Sequence, residues 1–207
     1  MTGPTPICPD QPADGRRQRS GATRQKVGQA LFDLVRQTGQ LPDAATVAAR
    51  AGVARRTVFR YFSDSAALEV ETARMMARML HDEFPQPVPR GSLAERLTAF
   101  LDHRLRVYAA GDPVRGLIEA ARLRGATGLD DFIAEMMAMM RAQLLGMIPE
   151  LARPGTPVEA LTSFEVVTGW DHFSALRRHC GMDAAQIAAQ FDWTARAVLV
   201  RARIGNL

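Results

Sequence analysis

Apolar residues recur along this chain at intervals of three and four, and nowhere alternate with period two, so the pattern predicts helices from end to end. Val27, Ala30, Leu31, Leu34 and Val35 form one stripe over residues 23–37, closed by Gly39. Ala44, Val47, Ala48 and Ala51 fall on one face of a second helix, which Asp43 can cap and Gly52 can end by taking a positive φ. Val53 drops into the angle that follows, and residues 54–62 start a third helix. A fourth covers residues 65–84 with Leu68, Met75, Met76, Met79 and Leu80 inward, and Pro85, Pro87 and Pro89 break it. Ser92 can cap a fifth helix to about residue 110, carrying Leu93, Leu97, Phe100, Leu101, Leu105 and Tyr108, and Asp112 with Pro113 opens a sixth to about residue 124. After a turn at 125–128, residues 129–148 form a seventh with Phe132, Ile133, Met136, Met137, Met140, Leu144 and Met147 inward. An eighth spans about 158–179, and Asp183 caps a ninth to about 203. The fold class is therefore all-α, with about nine helices.

The eighth and ninth helices are apolar on two sides. Leu161, Phe164, Thr168 and Ala175 lie on one side of the eighth, with Val166, Trp170 and Phe173 on another; Ile187, Phe191, Ala195 and Val198 make one stripe on the ninth, which Ala184, Ala188, Trp193, Ala197 and Val200 widen. A helix apolar on two faces is packed on both, and a symmetric second copy supplies the second layer economically. A homodimer is expected, with Phe164, Trp170, Phe173, Phe191, Ala195 and Val198 at its interface.

Charge sharpens this picture. The 207 residues carry a net +4, but residues 1–62 hold ten Arg or Lys against four acids, a net of +6, and the remaining 145 positions hold sixteen against eighteen. Residues 1–22 are rich in Pro, Gly and polar residues and are expected to be a disordered arm whose basic end, Arg16, Arg17, Arg19 and then Arg24, suits a polyanion. The two cysteines, Cys8 and Cys180, belong to no metal or redox spacing and are expected to be reduced thiols. No apolar window of membrane-spanning length and no secretory leader is evident, so a cytoplasmic protein with no membrane partner is expected.

The positive charge concentrates on the third helix. Arg55, Arg56, Thr57, Phe59, Arg60 and Tyr61 are available on its outer surface, which is cationic, aromatic and hydroxylated and carries no acid. An α-helix fits the major groove of B-DNA, where Arg makes bidentate bonds to guanine while Thr, Tyr and other Arg side chains hold phosphates. The second and third helices thus read as a helix-turn-helix with the recognition helix second.

The segment GVARRTVFRYF, residues 52–62, resembles the GVSxxTLYxYF signature of the tetracycline-repressor (TetR) family of transcriptional regulators. An amphipathic helix upstream, an alanine-rich helix before the glycine, and the pair Ala67 and Leu68 opening the next helix extend the likeness over roughly residues 25–78. The resemblance implies a helix-turn-helix DNA-binding domain at 23–66 and an effector-binding and dimerisation domain at 67–207. It also implies a palindromic double-stranded DNA operator, a small-molecule effector, and two recognition helices presented about 34 Å apart by a homodimer. Asp43 stands where family members usually place a hydroxyl, Ala54 where a serine usually caps the recognition helix, and Ser65 where a lysine usually meets phosphate.

An effector domain directs attention to the inward methionines. Met75, Met76, Met79, Phe100, Arg104, Tyr108, Phe132, Met136, Met140 and Phe164 are the candidate pocket, suited to an apolar or aromatic molecule, and Arg104, His103 and His172 are candidates for its polar end. The expected function is a ligand-responsive repressor; the alternative is an all-helical enzyme or metal protein whose basic hairpin is incidental. Against the alternative, the four histidines never occur as HExxH or ExxH, there is no glycine-rich phosphate loop and no GxSxG, so no catalytic residue, metal or cofactor is implied.

Overall fold

The computed structural model describes residues 13–38, 42–61, 65–123, 125 and 128–205, without the side chains of residues 13–20, 61, 65–72, 113, 114, 117, 120 and 121. Among the described residues the regular elements are all helices, without strands. Helices α1 (Ala13–Thr38), α2 (Ala44–Ala51), α3 (Arg55–Tyr61) and α4 (Ser65–Glu83) are followed by α5 (Leu93–Leu123) and α6 (Leu129–Met147). A 3-10 turn (Pro149–Ala152) then leads to α7 (Val158–Val167), α8 (Trp170–Arg178) and α9 (Ala184–Arg201).

Several boundaries follow the chemistry that predicts them. The Asp43 carboxylate accepts the Thr46 backbone N–H at 2.7 Å, and Gly52, at φ 65°, sends its own N–H and that of Val53 back to the last turn of α2. Asp183 and Gln186 form a reciprocal capping box at the start of α9. Gly39 and Phe62 lie outside the described residues, as do Cys8 and the first twelve positions.

Other boundaries differ. Helix α1 begins at Ala13, so residues 13–22, expected within a disordered arm, are helical; arginine, glutamine and alanine there are good helix formers even without an apolar stripe. The expected fifth and sixth helices are one, α5, which continues through Pro113. Proline removes only the hydrogen bond to the Ala109 carbonyl, and the Asp112 carboxylate, instead of capping a new helix, pairs with Arg177 at 3.3 Å and Arg178 at 2.9 Å. The expected eighth helix is two. The Thr168 hydroxyl donates to the Phe164 carbonyl at 2.7 Å, Gly169 is extended, and a Cβ there would stand 2.8 Å from the Glu165 carbonyl oxygen, so the chain turns and α8 starts afresh.

Two apolar clusters hold the helices. One joins Val27, Leu31, Phe32 and Val35 of α1 to Val47, Ala48, Val58, Ala73, Met76 and Leu80, and reaches Ile118 of α5 and Leu129 and Phe132 of α6. The other gathers Leu97, Phe100, Tyr108, Leu144, Met147, Phe164, Phe173, Phe191 and Leu199 between α5, α6, α7, α8 and α9. Helix α5 touches both, packing on α1 and α4 and also on α8 and α9. Ion pairs tie the layers: Arg36 to Glu83 at 2.8 Å, Arg74 to Glu135, and Arg96 to Glu150 at 2.6 Å.

Candidate functional site

Helix α3 is held by its inner face and presents the other. Val58 is buried and Thr57 half-buried, whereas Arg55, Arg56, Phe59 and Arg60 are exposed. The Arg55 guanidinium lies 5.4 Å above the Phe59 ring, an arrangement that holds both side chains outward. No side chain caps α3 at Ala54; the Thr57 N–H donates to the Ala54 carbonyl instead. Asp43 is exposed, and hydrogen bonds from Thr46 hold its carboxyl below the usual carboxylate value, with Arg55 contributing a smaller attraction. Arg50 reaches Asp33 of α1 at 3.8 Å, and Arg24 is exposed on α1. The Tyr61 side chain and Ser65 fall among the side chains left out above.

A cavity of about 660 Å³ opens between α5, α6, α7 and the start of α8, and a smaller one of about 70 Å³ adjoins it toward α4. Arg104, Tyr108, Arg115, Ile118, Met136, Met140 and Trp170 line both. Ile133, Met137 and Arg141 add to the larger, His172 lies at its α8 wall, and His103 lies in the smaller. Of the ten candidate pocket residues, Arg104, Tyr108, Met136 and Met140 are brought together here. Met75, Met76, Met79, Phe100, Phe132 and Phe164 line neither cavity: Met76 and Phe164 are fully buried, Met75 packs against Gly28, and Phe100 meets Phe164 at 6.1 Å. They are core, because helical spacing places a residue inward without saying whether protein or empty space faces it. Met137, expected inward, is instead 55% exposed.

The polar groups of this site form a chain. Arg104, only 5% exposed, donates to the Met140 carbonyl at 2.6 Å and to the Tyr108 hydroxyl at 3.5 Å; Tyr108 in turn donates to the Thr168 carbonyl at 3.0 Å. Burial pushes the Tyr108 phenol above its ordinary pKa. Burial, and then the charges of Arg104 and Arg106, lower that of His103, which favours a neutral imidazole. The Arg104 guanidinium stacks 4.9 Å over Phe100, and the Trp170 ring lies 4.7 Å from Tyr108. His172 donates its Nδ1–H to the Val167 carbonyl, 2.6 Å away, and stacks on Phe191 at 5.3 Å.

Among the described residues no group of three His, Cys, Asp or Glu is placed to hold a metal ion, and no helix is long and apolar enough to cross a membrane. Compared with protein-family models, curated proteins and solved structures, the chain matches none.

Four of the six expected interface residues need correction, because they are buried within the chain. Phe164, Phe173, Phe191 and Ala195 are buried within the chain, Val198 packs against that core, and Trp170 lines the cavities. Exposed on the outer side of this region are Trp193, Ala197 and Val200, which widen the α9 stripe at helical spacing, and Val158 and Val166 on α7, which packs beside it. Trp170 and Arg115 are site residues that the sequence pattern misassigns or passes over. A tryptophan just after Thr168 and Gly169, where the helix breaks, is the signal that could have found the first; the false break at Pro113 hid the second.

Proposed function

We propose that this protein is a ligand-responsive, DNA-binding transcriptional regulator of TetR-like design. The observation that carries the reading is the outward face of α3, where Arg55, Arg56, Phe59 and Arg60 stand exposed on a helix that contains no acid and follows directly on the Gly52 turn. Such a helix offers bidentate donors to guanine edges and charge to phosphates. The resemblance of residues 52–62 to the recognition-helix signature supports the same assignment. The cavity supports the effector half of the reading, since its volume lies within the roughly 300–1,000 Å³ that small-molecule sites occupy.

The regulator acts as a homodimer on a palindromic operator. Its interface is formed by the exposed apolar face of α7 and α9, where Trp193, Val200, Val158 and Val166 are 58–80% exposed.

The test is selection of bound sequences from a random duplex library, followed by fluorescence anisotropy on the selected site and on random duplex. Arg55→Ala or Arg56→Ala is expected to cost about 1–3 kcal/mol on the selected site and to relax preference at one base pair. Tyr61→Phe is expected to weaken selected and random duplex alike, as loss of a phosphate contact does. Failure to retain any duplex at low salt, where counterion release favours binding most, overturns the proposal.

A further inference from the structure

Among the described residues Arg104 is a buried charge without a counter-charge. It is 5% exposed, its two bonded partners are a backbone carbonyl and a phenol, and its Nε has no hydrogen-bond partner. The carboxylates that share the larger cavity are taken: Glu165 by Arg141 through two bonds of 2.6 Å, and Asp171 by Arg115 at 2.6 Å. Three guanidinium groups therefore line that cavity against two carboxylates. A second donor lies in the same walls unsatisfied, the buried Trp170 Nε1–H. Buried charges are ordinarily paired and buried donors ordinarily bonded, because leaving them desolvated and unpaired is costly. Around this polar end the walls are apolar, with Ile118, Ile133, Met136, Met140 and Leu144 supplying an adaptable surface.

We infer that the cavity takes an amphipathic organic acid, its carboxylate docked on Arg104 and the Trp170 indole N–H, and its apolar or aromatic body lying along the α6 methionines. This rests on the effector-site reading above and deepens it from an apolar molecule to an apolar acid. A carboxylate would supply the missing negative charge and accept from both idle donors. A neutral amide of the same shape would supply acceptor oxygen but no charge. Met139 and Met137, partly exposed on α6, would flank its entry.

The full-length protein can be titrated by isothermal calorimetry with straight-chain alkanoates of six to fourteen carbons and with ω-phenylalkanoates, each paired with its own primary amide. At pH 8 the best-bound acid is expected to bind at least about tenfold more tightly than its amide, the scale of a desolvated charge-assisted hydrogen bond. Arg104→Met, which keeps an unbranched apolar stem but removes the guanidinium, is expected to abolish that preference. Trp170→Phe, which keeps a ring beside Tyr108 but removes the N–H, is expected to narrow it by a smaller factor. If Arg104→Met does not fold, the wild-type acid-to-amide ratio and Trp170→Phe decide the matter. Absence of binding by every acid, equal affinity within each pair, or a preference that survives Arg104→Met overturns the inference. No DNA is present in these titrations, so loss of the DNA-binding reading and loss of this one are separate results.

Discussion

Phe191 and Trp193 are two aromatic residues two positions apart on α9, and the structure gives them opposite roles. Phe191 is fully buried and stacked on His172, whereas Trp193 is 68% exposed. Truncating a buried phenylalanine removes its burial and leaves a cavity, together about 3–5 kcal/mol, a large part of the roughly 5–15 kcal/mol that holds a domain folded. For a chain of this length each kcal/mol shifts the melting temperature by about 2–4 °C, so Phe191→Ala should melt about 6–20 °C lower. Trp193→Glu removes little burial from the protomer and should change its intrinsic stability by no more than about 0.5 kcal/mol. If the α7–α9 face joins two copies, however, that glutamate would be desolvated against a partner and the dimer should dissociate. Circular dichroism melts together with sedimentation velocity over a range of concentrations separate the two effects, because only an associating protein has a concentration-dependent melting temperature. A folded, monomeric Phe191→Ala beside a dimeric Trp193→Glu would place the interface on the other side of α9 and refute the reasoning.

Glu150 tests electrostatics between α5 and the 3-10 turn. Hydrogen bonds from Arg96 hold its carboxyl below the usual carboxylate value, so its contribution to stability is present above that usual value and is lost as pH falls through the lowered one. Glu150→Gln should cost on the order of 1 kcal/mol in urea denaturation at pH 7, with the gap to wild type closing toward pH 3; a gap independent of pH would mean that the pair does not matter. A methyl group on Gly111 would press into the Trp170 ring and stand 2.9 Å from Leu80, so Gly111→Ala should lose about 1–3 kcal/mol to overpacking, more than the roughly 1 kcal/mol gained in helix propensity. The near-ultraviolet circular dichroism of Trp170 should change with it, and a raised melting temperature would refute the contact. Gly52→Ala forces a left-handed φ on alanine and should lower stability by about 1–2 kcal/mol in the same denaturation assay.

Helix content was legible in the sequence because apolar spacing, caps and glycines agree over most of the chain: Asp43, Gly52 and Asp183 act where their chemistry indicates, and Gly125 and Gly128 both take positive φ. Continuity was not legible. Pro113 looks like a first-turn residue and sits inside α5; Gly169 looks like an interior glycine and divides α7 from α8. The deciding interaction is tertiary in the first case and local in the second: Asp112 finds Arg177 and Arg178, whereas Gly169 passes close over the carbonyl of Glu165, in the preceding turn. The same limit governs the sites. The exposed face of α3 follows from one helix alone and could be read from spacing. The cavity depends on which of several inward stripes meets empty space, so four of ten candidate residues reach it and Trp170, assigned to an interface, forms its wall.

The architecture also bears on how the proposed effector would act on the exposed face of α3. Met76 is fully buried and lines neither cavity, so on the proposed reading a ligand does not push directly on it. Contact passes instead through shared residues. Ile118 lines both cavities and belongs to the cluster that includes Val27, Val47 and Val58, while Ala73, Ala77 and Leu80 of α4 line the smaller cavity. On the proposed reading, an acid drawn against Arg104 alters the packing of α5 on α4, and α4 follows α3 in the chain after three residues. Such an effector can shift the regulator only by the difference in its affinity for the DNA-competent and DNA-incompetent arrangements, and bound DNA must weaken the effector by the same factor. Because the cavity walls and the core beneath α3 share side chains, that difference is set by packing at Ile118 and Leu80 rather than by the ionic contact itself. On that reading Arg104 governs which ligand binds, and the α4–α5 seam governs what binding does.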